Sequence, residues 1–155
     1  MARFNLFRAK PRAFKNDPAG YKTGMSRFGK RIGASMIGGS LYELPPGQSI
    51  CPYHYEHGDE EWLIVLEGAP TLRRPRGSQK LEPGDVVCFP KGPNGAHKVT
   101  NKTRKNARVL MISTMNTPSV AVYPDSSKVG IFGSGKDNGM FHRRDGRVGY
   151  YVGEV

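Results

Sequence analysis

The feature that most constrains the fold is a succession of short apolar stretches, each cut off by a proline or glycine turn, between residues 40 and 113. Ser40–Leu44 ends at Pro45-Pro46-Gly47, and Glu61–Leu66 ends at Gly68-Ala69-Pro70. Thr71–Arg74 and Gln79–Leu81 flank the tip Pro75-Arg76-Gly77-Ser78, which reads as a hairpin. Glu82-Pro83-Gly84-Asp85 precedes the apolar run Val86–Phe89, and a Gly/Pro loop over 91–96 precedes His97–Thr100. Ser49–Glu56, Arg108–Ser113 and Val120–Tyr123 complete the set of predicted strands. Segments this short cannot sustain a helical period, whereas strands of four to eight residues with regular turns build a sandwich or barrel. The fold class is therefore all-β. Gly and Pro supply about a fifth of the 155 residues, in keeping with many tight turns.

A chain of this length makes one domain with a sizeable core. Its expected organisation is a basic N-terminal arm (1–31), a barrel (32–118) and a C-terminal extension (119–155). Residues 124–155 are Gly- and Ser-rich and read as an irregular tail. The formal net charge is +11, and residues 1–31 carry nine Lys/Arg against the single acid Asp17, a local +8. The arm also carries Phe4, Phe7, Phe14, Tyr21 and Phe28 without a sustained period. It reads as an extended segment laid along the barrel or along a partner subunit. Nine cations with five aromatics also suit nucleic acid, so a nucleic-acid-associated protein acting through this arm is one alternative function, with docking on protein preferred.

No apolar run approaches a membrane span. The N-terminus lacks the apolar region of a secretory signal, and Pro11 and Pro18 argue against a transit peptide. A cytoplasmic location is expected, with Cys51 and Cys88 as free, buried thiols.

Charge runs the other way in the middle of the chain. Glu56, Asp59, Glu60, Glu61 and Glu67 place five of the thirteen acids within twelve residues. Residues two apart on a strand share a face. His54 and Glu56 therefore point one way, and His57 the other unless a bulge intervenes. Glu61 shares its face with Leu63 and Val65, opposite Trp62, Ile64 and Leu66. If Leu63 and Val65 face the core, Glu61 is inside, where a carboxylate needs a partner or a metal. Glu56 and Glu61 cannot both be ionised at close range without a cation. Either a metal neutralises them, or one stays protonated and serves as an acid or base. His97, after its Gly-rich loop, closes the site. Imidazole with carboxylate suits one divalent transition metal (Fe, Mn, Ni or Zn) over calcium or magnesium.

The pattern Gly47…His54-Tyr55-Glu56…Glu61-x6-Gly68 resembles the first motif of the cupin superfamily, in which a Gly precedes an HxH pair, a Glu and a Gly. Gly84-x5-Pro90-x-Gly92-x4-His97-x3-Asn101 resembles the second, with a slightly longer gap before the His. The resemblance spans about residues 38–115, and the flanking residues are similar to a group of small single-domain bacterial cupins of undefined activity. It implies a jelly-roll (double-stranded β-helix) barrel with the metal inside. Where cupins usually place the second His of HxH, this chain has Glu56. Three arrangements remain open: Glu56 as a ligand with His54, Glu61 and His97; His57 reaching the metal through a bulge; or three ligands with Glu56 free as the catalytic base. Alternation favours Glu56 as a ligand or near-ligand. Against all three stands a metal-free barrel with ordinary hydrogen-bonded histidines and Glu61 paired to an arginine.

The functional expectation is a metal-binding cupin acting on a small polar organic substrate, as an isomerase, dioxygenase or lyase. A non-catalytic ligand-binding or sensing module is the alternative. Cupins commonly pair through barrel edges, so a homodimer is expected.

Overall fold

The computed structural model describes residues 2–134 and 138–154. Twelve strands appear among them: β1 (Gly24–Arg27), β2 (Ile37–Leu44), β3 (Tyr55–Glu56), β4 (Glu61–Glu67), β5 (Thr71–Arg74), β6 (Gly77–Lys80), β7 (Val86–Phe89), β8 (Lys98–Thr100), β9 (Ala107–Thr114), β10 (Ser119–Tyr123), β11 (Lys128–Phe132) and β12 (Asn138–Arg143). The only helical pieces described are single 3-10 turns, as the turn-rich sequence requires. No helix among the described residues is long and apolar enough to cross a membrane.

One sheet has the order β1-β2-β9-β4-β7, all antiparallel. Two smaller sheets, β6-β5-β8 and β12-β11-β10-β3, form the opposite wall. Residues 49–54 stitch the two together, through bridges from Ser49 to Thr100 and from His54 to His97. The core lies between the walls. Leu44, Leu63, Val65, Phe89, Val109 and Met111 meet Leu72, Val99 and Leu81 in one cluster. Alternation along each strand selects these residues, and each full burial is worth about 1.5–3 kcal/mol. The β-sandwich of short strands is as predicted. The sheets do not join into a closed ring of strands.

Three parts differ from the sequence reading. Residues 49–54 are a bridged but irregular segment, and only Tyr55–Glu56 is strand. Pro52 has no N–H to give to a ladder, which breaks the run. The tail is not irregular: β11 hairpins back on β10 and β12 on β11. Cys88 is exposed rather than buried, because Val86 and Cys88 face out while Phe89 is buried.

The arm is docked on the barrel. Gly24–Arg27 adds to the edge of β2, and the Arg108 guanidinium donates to the carbonyls of Leu6, Phe7 and Ala9. Phe28 stacks on Phe4 at 4.6 Å and lies over Gly39, where an added Cβ would come within 2.6 Å of the Phe28 ring. Gly39 thus gives the arm its seat.

Candidate metal centre

Glu61 opens β4, and its neighbours on the same face, Leu63 and Val65, are buried. The carboxylate is consequently carried inside. His97 sits one residue ahead of β8 and is 1% exposed, with its ring stacked on Phe89 at 3.6 Å. His54 pairs with His97 backbone to backbone, His54 N donating to His97 O at 3.1 Å and His97 N to His54 O at 2.8 Å. That bridge sets the two imidazoles side by side, with centroids 4.7 Å apart.

Each imidazole is oriented from behind by a backbone carbonyl. His54 Nδ1 lies 3.0 Å from Pro52 O, and His97 Nδ1 lies 2.9 Å from Gly95 O. A carbonyl can only accept, so each Nδ1 carries the hydrogen and each Nε2 faces the interior. Both Nε2 atoms lie 3.6 Å from the same Glu61 Oε2. Glu61 Oε2 and His97 Nε2 are buried without a hydrogen-bond partner. Donor atoms of His54, Glu61 and His97 all lie within 4.8 Å of one another. Metal–ligand bonds of about 2.0–2.2 Å place donors about 3–3.5 Å apart, so small movements would close this set on an ion. Unsatisfied buried donors aimed at one point, with pinned imidazoles behind them, fit a divalent transition metal.

The electrostatics agree with a cation site. Burial disfavours the His54 cation, but neighbouring Cys51 and Glu61 hold it, pushing that imidazole up to about 11. Burial and the His54 charge push His97 down to about 4. Burial works to raise Glu61, yet the two imidazoles bring it below the usual carboxylate range. Without a metal the cluster therefore holds one proton, on His54.

Glu56 stands beside this trio. Its Oε1 lies 3.9 Å from His54 Nε2, and its Oε2 accepts from the Ser119 hydroxyl at 3.1 Å. Burial, then the Glu61 charge, raises its carboxyl above the ordinary range. His57 lies outside the cluster: it is exposed, with its ring edge-on to Tyr55 at 5.3 Å. Trp62 faces out, and its indole donates to Glu60 Oε1 at 2.8 Å. Asn101 is fully buried and satisfied, donating to the Leu44 and Lys105 carbonyls and accepting from Thr103.

Two site neighbours escaped the sequence reading. The β3–β10 register, continued by one step, sets Tyr123 opposite His54, and their rings stack at 5.7 Å. Burial, then Glu56, pushes the Tyr123 phenol up to about 12, so it stays a neutral donor. On the other side, the β5–β8 register continued by one step sets Arg74 opposite His97. Tyr123, His54, His97 and Arg74 thus form one row across the wall.

The Cupin domain family matches residues 40–113, the stretch that holds all three clustered residues. Over nearly the whole chain the fold is that of solved cupins. A sugar phosphate isomerase from a cupin superfamily, from Silicibacter pomeroyi, is 27% identical, with 93% of this chain and 94% of that one covered at a TM-score of 0.81. Residues 40–113 are a cupin domain, and the chain has the cupin fold.

A second cupin-like structure, from Acidithiobacillus ferrooxidans and provisionally assigned as a sugar phosphate isomerase, is 25% identical at a TM-score of 0.80, covering 92% of this chain and 91% of that one. A polyketide cyclase from Streptomyces resistomycificus shares the fold at 22% identity and a TM-score of 0.61, over 75% of this chain and 80% of that one. No curated protein sequence matches the chain. The jelly-roll expectation is met.

Proposed function

We propose that the protein is a metal-dependent isomerase of a small sugar phosphate. The observation that carries this reading is the trio His54, Glu61 and His97, with the buried atoms Glu61 Oε2 and His97 Nε2 left without partners. The substrate class is supported by the likeness over nearly the whole chain to a sugar phosphate isomerase of this superfamily.

His54, Glu61 and His97 would hold one divalent transition metal, which supplies Lewis-acid polarisation of the sugar carbonyl when bound. The proton work falls to the chain itself. Aldose–ketose interconversion moves one proton between adjacent carbons, with the carbonyl and hydroxyl exchanging places. Glu56, raised by burial and by Glu61, takes the proton from the carbon beside the carbonyl and returns it to the former carbonyl carbon. Ser119 holds Oε2, leaving Oε1 toward the site. Tyr123, a neutral phenol, gives its proton to the carbonyl oxygen and takes one back from the neighbouring hydroxyl, so that each oxygen stays on its own carbon. Glu56 is thus a base beside a three-residue metal site.

The test is metal content followed by turnover. The purified, metal-loaded protein is expected to hold one ion per chain and to interconvert an aldose and a ketose phosphate, followed by NMR in deuterated water. Incorporation of deuterium at the carbon beside the carbonyl is the expected signature. Glu56→Gln should keep the metal and lose about 100-fold or more in kcat. Retention of metal by both His54→Ala and His97→Ala overturns the site, and no exchange with any aldose or ketose phosphate of three to six carbons overturns the reaction.

A further inference from the structure

Arg73 and Arg74 are neighbours in sequence with opposite fates. Arg73 faces outward and is fully engaged. Its guanidinium donates twice to Asp125, at 2.6 and 2.9 Å, and lies over the Tyr53 ring at 3.9 Å. Arg74 shares its face with buried Leu72, as His97 shares its face with buried Val99. Both alternations put Arg74 on the inner face, one strand from His97. Among the described residues, no salt bridge or side-chain hydrogen bond involves the guanidinium of Arg74 or of Arg76. An open surface pocket of about 540 Å³ lies at this end of the β5–β6 hairpin, lined by half-buried Arg74 and by exposed Arg76, Ser78, Gln79 and Asn94, with no carboxylate in its lining.

A free cation next to a cation-binding site works against that site unless an anion comes between them. Two guanidinium groups, with a hydroxyl and two amides around them, supply the forked and neutral donors that suit a phosphate dianion. The volume suits a small organic phosphate. We propose that Arg74 and Arg76 form a phosphate subsite beside the metal centre, gripping the phosphate monoester while the carbonyl end of the sugar lies at His54, Glu61 and His97. The placement of the carbonyl end rests on the sugar phosphate reading above; the anion site rests on the pocket and its arginines.

The test is calorimetric titration of the metal-loaded full chain with inorganic phosphate and with glucose 6-phosphate. Arg74→Gln and Arg76→Gln should each raise Kd about tenfold or more for both ligands. Arg73→Gln, on the outer face, should leave Kd within about twofold. Arg76 lies in the exposed two-residue turn that closes the hairpin, so its variant keeps the test open even if Arg74→Gln does not fold. Phosphate binding unchanged in the foldable variants overturns the subsite, including the case in which phosphate sits on the metal alone. The two readings separate cleanly. Binding that depends on these arginines, with no turnover of any sugar phosphate, keeps the subsite and discards the isomerase. Turnover with KM unchanged in the variants does the reverse.

Discussion

The interior of this cupin domain has two ends built from the same strands. Along the inner face of β4, Glu61 gives way to Leu63 and then Val65. In the opposite wall, His97 leads to Val99 and Arg74 lies two residues from Leu72. One end is a close-packed apolar plug; the other is a cluster of imidazole and carboxylate with unsatisfied atoms. The step between them is two residues, about 7 Å. The plug holds the backbones rigid, and the site takes its geometry from that rigidity without contributing to it.

Substitutions along β4 break this contrast most directly. Leu63→Ala empties the plug and should cost about 2–5 kcal/mol of folding stability, with metal content per folded chain unchanged. Urea denaturation and metal analysis on one sample check both. His54→Ala strikes the other end. It should weaken metal binding more than about 100-fold, beyond what outer partners contribute, and lower the metal-free melting temperature, because Glu61 loses the charged partner that offsets its burial. Competition with a chelator measures the first and calorimetry the second.

The charge state of the polar end gives a third test. At neutral pH the metal-free site holds its proton on His54, pushed up to about 11, while His97, pushed down to about 4, is already neutral and Glu61 is ionised. Metal must displace one proton. Its affinity should therefore rise about tenfold per pH unit between about pH 5 and 8, and a flat profile would remove His54 from the ligand set. Trp62 lies between Glu61 and Leu63 but faces out. Trp62→Phe should leave both stability, within about 0.5 kcal/mol, and metal affinity unchanged, sharpening the contrast to one face of one strand.

Much of this was legible in the sequence. Period-two alternation and Pro/Gly punctuation were enough for an all-β fold and for Glu61 inside. The resemblance of the two motifs to those of cupins is what singles out His54, Glu61 and His97. Three other points were not. β12 lies largely exposed, so its pattern carries little apolar signal, and β11 is a run of only five residues broken by Gly130. The stretch 49–56 reads as one strand between two turns, but Pro52 has no N–H for a ladder and only Tyr55–Glu56 is strand. Tyr123 and Arg74 were invisible as site residues, because what brings them there is the pairing register between strands far apart in sequence. Alternation tells which face a side chain takes; it cannot tell which neighbour waits there.

The row of Tyr123, His54, His97 and Arg74 has a metric consequence. Neighbouring strands are about 4.8 Å apart, so one side chain per strand makes a ruler graduated in strand widths. A molecule held by its carbonyl near the histidines and by its anionic tail at Arg74 has its length read against that scale. Shifting the tail's anchor one strand outward would call for a molecule about 5 Å longer, some four carbon–carbon bonds, while Glu56 and the histidines stayed where they are.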